Sequence, residues 1–164
     1  MTSNLSPGEI SRRLALTDHR PVLSEPDFPV ELLRGEPRMA AVLIPLFRKE
    51  DCWHITLIRR TVDLTEHSGQ VAFPGGRTDP GDISPEATAL REAHEEIGAN
   101  PQDVHILGRL PETLTITNFR VTPVVGQIPW PYNFHPAVEE VARIFTIPLD
   151  WRADPSHHEQ RLRQ

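Results

Sequence analysis

Residues 75–99 constrain the fold of this chain more than any other stretch. A glycine-rich loop comes first, and a helix with clearly marked ends follows it. Ser84 is a good N-cap, Pro85 suits the first helical position because its missing N–H would have no partner there, and Gly98 is a natural left-handed stop. The sequence therefore predicts a loop that leads directly into a helix over residues 85–97.

Three carboxylates share one face of this predicted helix. At about 100° per residue, Glu92, Glu95 and Glu96 lie together, away from an apolar face that can pack on a core. Such neighbours repel one another, so one interpretation is a solvated acidic face that Arg91 partly neutralises. The other is a site for a hard divalent cation, which prefers carboxylate and phosphate oxygens. The glycine-rich loop beside the helix favours the second interpretation.

The same residues carry a resemblance to a known family. Residues 91–99 resemble the end of the Nudix box, R-E-U-x-E-E-x-G-U, where U is an apolar residue, and Gly76 resembles its leading glycine. Asp82 keeps the spacing of the family's glutamate from that glycine, but it lies one residue further from Arg91 than the pattern has. The loop is therefore predicted to be one residue longer than usual, and the role of Asp82 stays open.

The resemblance implies a fold, a cofactor and catalytic residues. It implies an α+β protein with a Nudix-type α/β/α sandwich, in which a mixed β-sheet lies between helices, and short strands around one central helix indicate the same class. It also implies bound Mg²⁺ or Mn²⁺. Arg91 would orient the glutamates, and Glu140 is one carboxylate that could accept the proton of the attacking water. The implied metal ligands are Glu92, Glu95, Glu96 and the backbone carbonyl of Gly76.

A second resemblance lies upstream of the box. Residues 56–76 are similar to the motif that precedes the box in coenzyme A diphosphatases, L-L-T-x-R-[SA]-x-x-L-R-x-x-x-G-x-V-x-F-P-G-G. Arg60 matches the first arginine, whereas Thr65 replaces the second. Arg60 has two interpretations, a contact with the 3′-phosphate of coenzyme A or a structural ion pair at a strand end. The predicted substrate-binding residues are Arg60, Arg59, Arg77, Gly75 and Gly76.

Together, the two resemblances imply metal-dependent hydrolysis of a diphosphate linkage in a small molecule. Coenzyme A or a derivative is the expected substrate, giving 4′-phosphopantetheine and 3′,5′-ADP. Two alternatives stay open: a Nudix hydrolase of ADP-ribose or nucleoside triphosphates, and a Nudix-like binding domain without catalysis. The intact glutamates argue against the non-catalytic alternative.

The rest of the chain is predicted to belong to the same domain. Residues 1–38 would form an N-terminal helix and a proline-rich connector, residues 39–153 the Nudix hydrolase domain, and residues 154–164 a polar tail. Pro123 suggests an edge strand or a bulge. Strands are predicted at residues 39–47, 53–60, 71–73, 104–110, 121–128 and, against a helical alternative, 138–147.

Composition excludes several classes of partner. The formal net charge of −6 argues against general nucleic-acid binding, which needs a basic field. No apolar run is long enough to span a membrane. The single cysteine cannot form an intrachain disulfide, which fits a reducing compartment, and a cytoplasmic location is expected. A monomer and a homodimer are both compatible with the sequence.

Overall fold

The computed structural model describes residues 5–17, 33–62 and 69–157. Within these ranges a β-sheet is combined with three α-helices and two short 3₁₀ turns. The helices are α1 (Pro7–Thr17), α2 (Pro85–Ile97) and α3 (Leu149–Ala153), and the 3₁₀ turns are Pro101–Asp103 and Pro155–His157. The strands are β1 (Arg38–Lys49), β2 (Cys52–Arg60), β3 (Val71–Ala72), β4 (Gly75–Arg77), β5 (His105–Arg109), β6 (Thr113–Leu114), β7 (Phe119–Gln127) and β8 (Val141–Pro148).

Strand β1 lies at the centre of a mixed sheet. It pairs antiparallel with β2 and β4, and parallel with β7. The sheet continues through β7 to β5 and β6 on one side, and through β2 to β3 and β8 on the other. Because β1 is covered on both faces, its sequence is apolar without clean alternation, as parallel and central strands commonly are.

Helices pack on the two faces of the sheet. Alternate residues of β1, such as Leu43 and Phe47, share a core with Ile97 of α2, whereas Leu46 shares a second core with Leu14 of α1. Successive side chains of a strand point to opposite faces, which produces this division. The predicted α+β class, with a mixed sheet between helices, is confirmed. None of the described helices is long and apolar enough to cross a membrane.

The predicted elements agree with the described ones in type. The predicted helix over residues 85–97 is α2, and residues 138–147 overlap β8, so the strand interpretation is confirmed there. Of the two expectations for Pro123, the edge strand is wrong, because β7 lies between β1 and the pair β5 and β6. The register shift between β5 and β7 lies between Ile106 and Gly108, opposite Gly126 and Val125, and so not at Pro123. Pro123 lies beside Leu110, between the end of β5 and the start of β6, and its carbonyl accepts from the N–H of Leu110. Because proline has no backbone N–H, it cannot donate in return, but no residue pair of β5 or β6 is lost at this point.

The N-terminal helix packs on the same sheet as the box. The hydroxyl of Ser6 accepts from the backbone N–H of Glu9, which is the expected N-terminal cap, and Ile10 and Leu14 are buried. Three predicted segments lie wholly or partly outside the described residues. They are the proline-rich connector, the part of the upstream motif that contains Thr65, and the polar tail.

Candidate active site

Capping at both ends sets the position of α2 next to the glycine-rich loop. The hydroxyl of Ser84 accepts from the N–H of Ala87 at 3.2 Å, and Gly98 has a φ of 68°. The N–H of Gly98 donates to the carbonyl of His94, which closes the last turn. Ile97 is fully buried against the sheet, so the helix cannot rotate freely. Its glutamate face is therefore held towards residues 75–82.

Both glycines of the loop lie in close contact with their surroundings. A Cβ on Gly76 would lie 2.7 Å from carboxyl atoms of Glu92. Gly75 has a φ of +157°, and a Cβ there would lie 2.5 Å from the carbonyl oxygen of Ala41. Only glycine tolerates the conditions at position 75, and a side chain at position 76 would require Glu92 to move, so the backbone approaches the helix glutamates closely at both positions. The N–H of Gly75 donates to Oε2 of Glu96 at 2.9 Å.

Glu96 is a buried carboxylate whose side chain is only 3% exposed. Besides the N–H of Gly75, it accepts from Nη1 of Arg60 at 3.2 Å. Burial raises the pKa of Glu96 to about 7, and the negative charges of Glu92 and Glu140 act in the same direction. Three carboxylates therefore lie near enough to repel one another, and an additional cation would offset that repulsion.

Arg91 joins the other box carboxylates. Its Nη1 donates to Glu92 at 2.9 Å and reaches Oε2 of the more exposed Glu95 at 3.4 Å. Its Nη2 donates to Asp82 and to the backbone carbonyl of Arg77, both at 2.9 Å. Burial raises the pKa of Glu92, although Arg91 opposes the shift. The Arg91 guanidinium therefore connects α2 to the loop at two points, Arg77 and Asp82.

The role of Asp82, which the sequence left open, is visible in its contacts. Its carboxylate accepts from Arg91, from the hydroxyl of Thr88 at 3.0 Å and from the N–H of Asp79 at 2.9 Å. The Arg91 guanidinium, with these further donors, lowers the pKa of Asp82 to about 2. The N–H of Asp82 in turn donates to the carbonyl of Asp79, so residues 79–82 form a turn.

A cleft of about 370 Å³ begins beside these residues. Its lining includes Arg60, Gly75, Gly76 and Arg77, together with Ala40 and Val42 of β1 and five residues between positions 115 and 121. The Nε of Arg60 is buried and has no hydrogen-bond partner in the described part of the chain. Ligand sites are commonly apolar clefts with a few polar groups in their lining.

The predicted site residues are brought together only in part. One connected group contains Arg91, Glu92, Glu95, Glu96, Gly75 and Gly76. Arg60 forms an ion pair with Glu96, and Glu140 lies near enough to raise the pKa values of Glu92 and Glu96. Arg59 alternates away from Arg60 along β2 and lies opposite Arg143 of β8. Neither Arg143 nor Thr88 was anticipated from the sequence, because strand neighbours and loop contacts depend on long-range pairing.

The donor set suits a hard divalent cation, but the glutamates are paired with arginines. Within residues 5–17, 33–62 and 69–157, no three His, Cys, Asp or Glu side chains already converge as a metal cage. Glu92 and Glu96 are instead held by Arg91 and Arg60. Carboxylate and carbonyl oxygens are the ligands that Mg²⁺ and Mn²⁺ prefer, and the mutual repulsion of the carboxylates favours a cation between them. The metal ligands therefore stay a prediction that the chemistry of the site supports.

Comparison with known proteins agrees with this geometry. The NUDIX domain profile matches residues 37–160. The chain is 51% identical over 112 residues to an uncharacterized Nudix hydrolase, NudL, of Enterobacter sp. (strain 638), a match that covers 68% of this chain and 58% of the relative. The chain thus spans less than two thirds of the length of that curated relative.

Solved structures show the same fold at lower sequence identity. The Nudix hydrolase RenU of M. smegmatis has a TM-score of 0.60 and 21% identity, and the match covers 73% of this chain and 76% of that one. A binary complex of the C. elegans Ap4A hydrolase has a TM-score of 0.58 and 18% identity, covering 68% of this chain and 80% of that one. At these identities the likeness shows the fold alone.

Proposed function

The chain belongs to the NUDIX domain family, and from this premise we propose that it hydrolyses a diphosphate linkage in a small molecule. We infer that the substrate is coenzyme A or a derivative and that the products are 4′-phosphopantetheine and 3′,5′-ADP. The observation that carries the proposal is the placement of Glu96, which accepts from the N–H of Gly75 and from Nη1 of Arg60, two residues that line the cleft.

Each residue of the site has a role in this proposal. Nudix hydrolases generally use divalent metal ions such as Mg²⁺ or Mn²⁺, which when bound offset charge on the diphosphate and lower the pKa of water. Arg91 orients the glutamates through its contacts to Glu92 and the loop. Glu140 accepts a proton from water as the water attacks phosphorus and the bridging P–O bond breaks. The residues that would hold the metal are Glu92, Glu95, Glu96 and the carbonyl of Gly76.

The choice of coenzyme A rests on the sequence upstream of the box. Residues 56–76 are similar to the coenzyme A diphosphatase motif, and Arg60 and Gly75 within it lie at the cleft. The cleft combines arginines with apolar walls, which suits a substrate that has anionic and apolar parts. The name of the relative, uncharacterized Nudix hydrolase NudL, specifies no substrate, so the choice of coenzyme A rests on the residues of this chain.

A substrate panel tests the proposal. Purified protein is incubated with coenzyme A, dephospho-coenzyme A, ADP-ribose and nucleoside triphosphates, each with Mg²⁺ or Mn²⁺, and products are separated by chromatography. We expect the highest kcat/KM with a coenzyme A derivative and no turnover after chelation. Higher kcat/KM with ADP-ribose or a triphosphate would overturn the coenzyme A assignment, and no turnover with any substrate would overturn the hydrolase. Glu96→Gln is the negative control for contaminating activity.

A further inference from the structure

Two arginines face each other across neighbouring strands near the cleft. Arg59 of β2 is the register partner of Arg143 of β8, and both residues are exposed. Side chains directly opposite each other in an antiparallel pair lie close together, and like charges in that arrangement are destabilising. In the described part of the chain neither arginine has a hydrogen bond or a carboxylate partner, unlike Arg12, Arg91 and Arg109, each of which pairs with an acidic residue.

The surroundings of this pair form a binding groove. A groove of about 390 Å³ is lined by both arginines, Val71 and Phe145, and the guanidinium carbon of Arg143 lies 6.0 Å from the ring centroid of Phe145. An adjoining groove of about 560 Å³ is lined by the same pair and by Arg60. Arg60 also lines the cleft beside the box glutamates. Arg59 and Arg143 thus line both grooves, and Arg60 lines both the second groove and the cleft.

We propose that Arg59 and Arg143 bind a phosphomonoester group of the substrate, distinct from the diphosphate that is cleaved. This inference rests on the proposed function and names a feature of its substrate. A phosphomonoester carries nearly two negative charges at neutral pH, which matches two guanidinium groups, and the planar guanidinium binds phosphate oxygens through paired hydrogen bonds. The anion would also remove the repulsion between the two cations.

The geometry favours this pair over Arg60 as the phosphomonoester site. Arg60 already donates to the buried Glu96, so its charge is engaged by a box carboxylate. Arg59 and Arg143 line two grooves whose lining contains no box residue, and they have no such partner in the described ranges. A molecule that has a diphosphate near Glu96 and a phosphomonoester some distance away would contact both sites.

The test compares two nucleotides that differ by one phosphate. Binding of 3′,5′-ADP and of adenosine 5′-monophosphate is measured by calorimetry at low salt with chelator, for the parent, Arg59→Ala, Arg143→Ala and the double variant. Arg12→Ala on α1 is the matched control for loss of one surface charge. We expect the parent to bind 3′,5′-ADP about tenfold more tightly than the monophosphate, and the ratio to fall towards one in the double variant. Arg143→Lys should retain part of the preference.

Several outcomes would overturn the inference. A ratio near one in the parent would do so, as would a preference that persists in a folded double variant with an unchanged melting temperature. If inorganic phosphate binds to the pair but the nucleotide ratio stays near one, the site takes free anions and is not part of substrate recognition. Turnover plays no part in these measurements, so failure of the hydrolase proposal in the substrate panel is separate from failure of this one.

Discussion

Oδ2 of Asp82 lies 2.9 Å from Nη2 of Arg91, although these residues are one position further apart than in the Nudix pattern. Two further hydrogen bonds between Asp79 and Asp82 close a turn at residues 79–82. Because the same guanidinium donates to Glu92, the pair connects the loop to the proposed metal ligands. Changes at Asp82 should therefore affect both stability and the site.

Replacement of Asp82 tests how much this connection stabilises the fold. Asp82→Ala removes the hydrogen bonds that the carboxylate accepts from three residues, Arg91 and the uncharged donors of Asp79 and Thr88, and should lower the free energy of unfolding by about 2 kcal/mol. Asp79→Ala is the matched control, because the Asp79 carboxylate is well exposed and its nearest approach to Arg91, at 3.7 Å, is longer than a hydrogen bond. It should change stability by less than about 0.5 kcal/mol. If urea denaturation shows equal decreases in the free energy of unfolding for both variants, Asp82 does not stabilise the fold through these contacts.

The low pKa of Asp82 predicts a pH dependence of stability. Arg91 lowers this pKa to about 2 in the folded state, below the ordinary value of 3.8. The folded state therefore binds fewer protons than the unfolded state between these values, and stability decreases as the pH falls through them. The difference in melting temperature between the parent and Asp82→Asn should be largest above about pH 4 and should shrink towards pH 2. A constant difference over this range would count against the ion pair.

Gly76→Ala tests the close approach of the loop to Glu92. The new methyl group would lie 2.7 Å from the carboxyl atoms, so the side chain of Glu92 must move while the backbone need not. We expect Mn²⁺ affinity, measured by electron paramagnetic resonance, to fall by roughly tenfold or more. At Gly81 a Cβ would meet nothing within 4 Å, so Gly81→Ala controls for loss of a glycine in the same loop. Unchanged Mn²⁺ binding in Gly76→Ala would remove Glu92 from the site.

Glu96→Gln tests the buried carboxylate. The amide keeps an oxygen for the N–H of Gly75 but loses the charge that Arg60 and a metal would use. kcat should fall by at least about a hundredfold and Mn²⁺ affinity should fall with it, while the fold persists. His94→Gln, on the exposed side of α2, is the control. Full turnover at saturating metal would show that Glu96 has a structural role only.

Glu140→Gln separates proton acceptance from metal binding. Glu140 lies near enough to raise the pKa values of Glu92 and Glu96, yet it is exposed to solvent. If it accepts the proton of water, kcat should fall by about 10²–10⁴-fold with Mn²⁺ affinity nearly unchanged. The neighbouring Glu139→Gln should leave kcat within about twofold of the parent. A parallel loss of metal affinity in Glu140→Gln would make Glu140 a ligand instead.

Local features of the fold and the site were predictable from the sequence. The bounds of α2 follow from Ser84, Pro85 and Gly98, since capping depends on neighbouring residues. The shared face of the box glutamates follows from the helical period in the same way. The mixed sheet between helices was also expected, from the short strands around one central helix and from the family resemblance, whereas the pairing of particular strands was not.

Tertiary structure alone decided which distant groups meet. Arg60 contacts Glu96 and Arg59 faces Arg143 because β2, α2 and β8 pack in one particular arrangement, and nothing in the local sequence encodes that arrangement. The interior position of Pro123 was hidden for the same reason. The sequence by itself determined the helix, its caps and its acidic face, which depend on residues a few positions apart. Long-range strand pairing and burial decided the partners of each arginine and the raised pKa of Glu96.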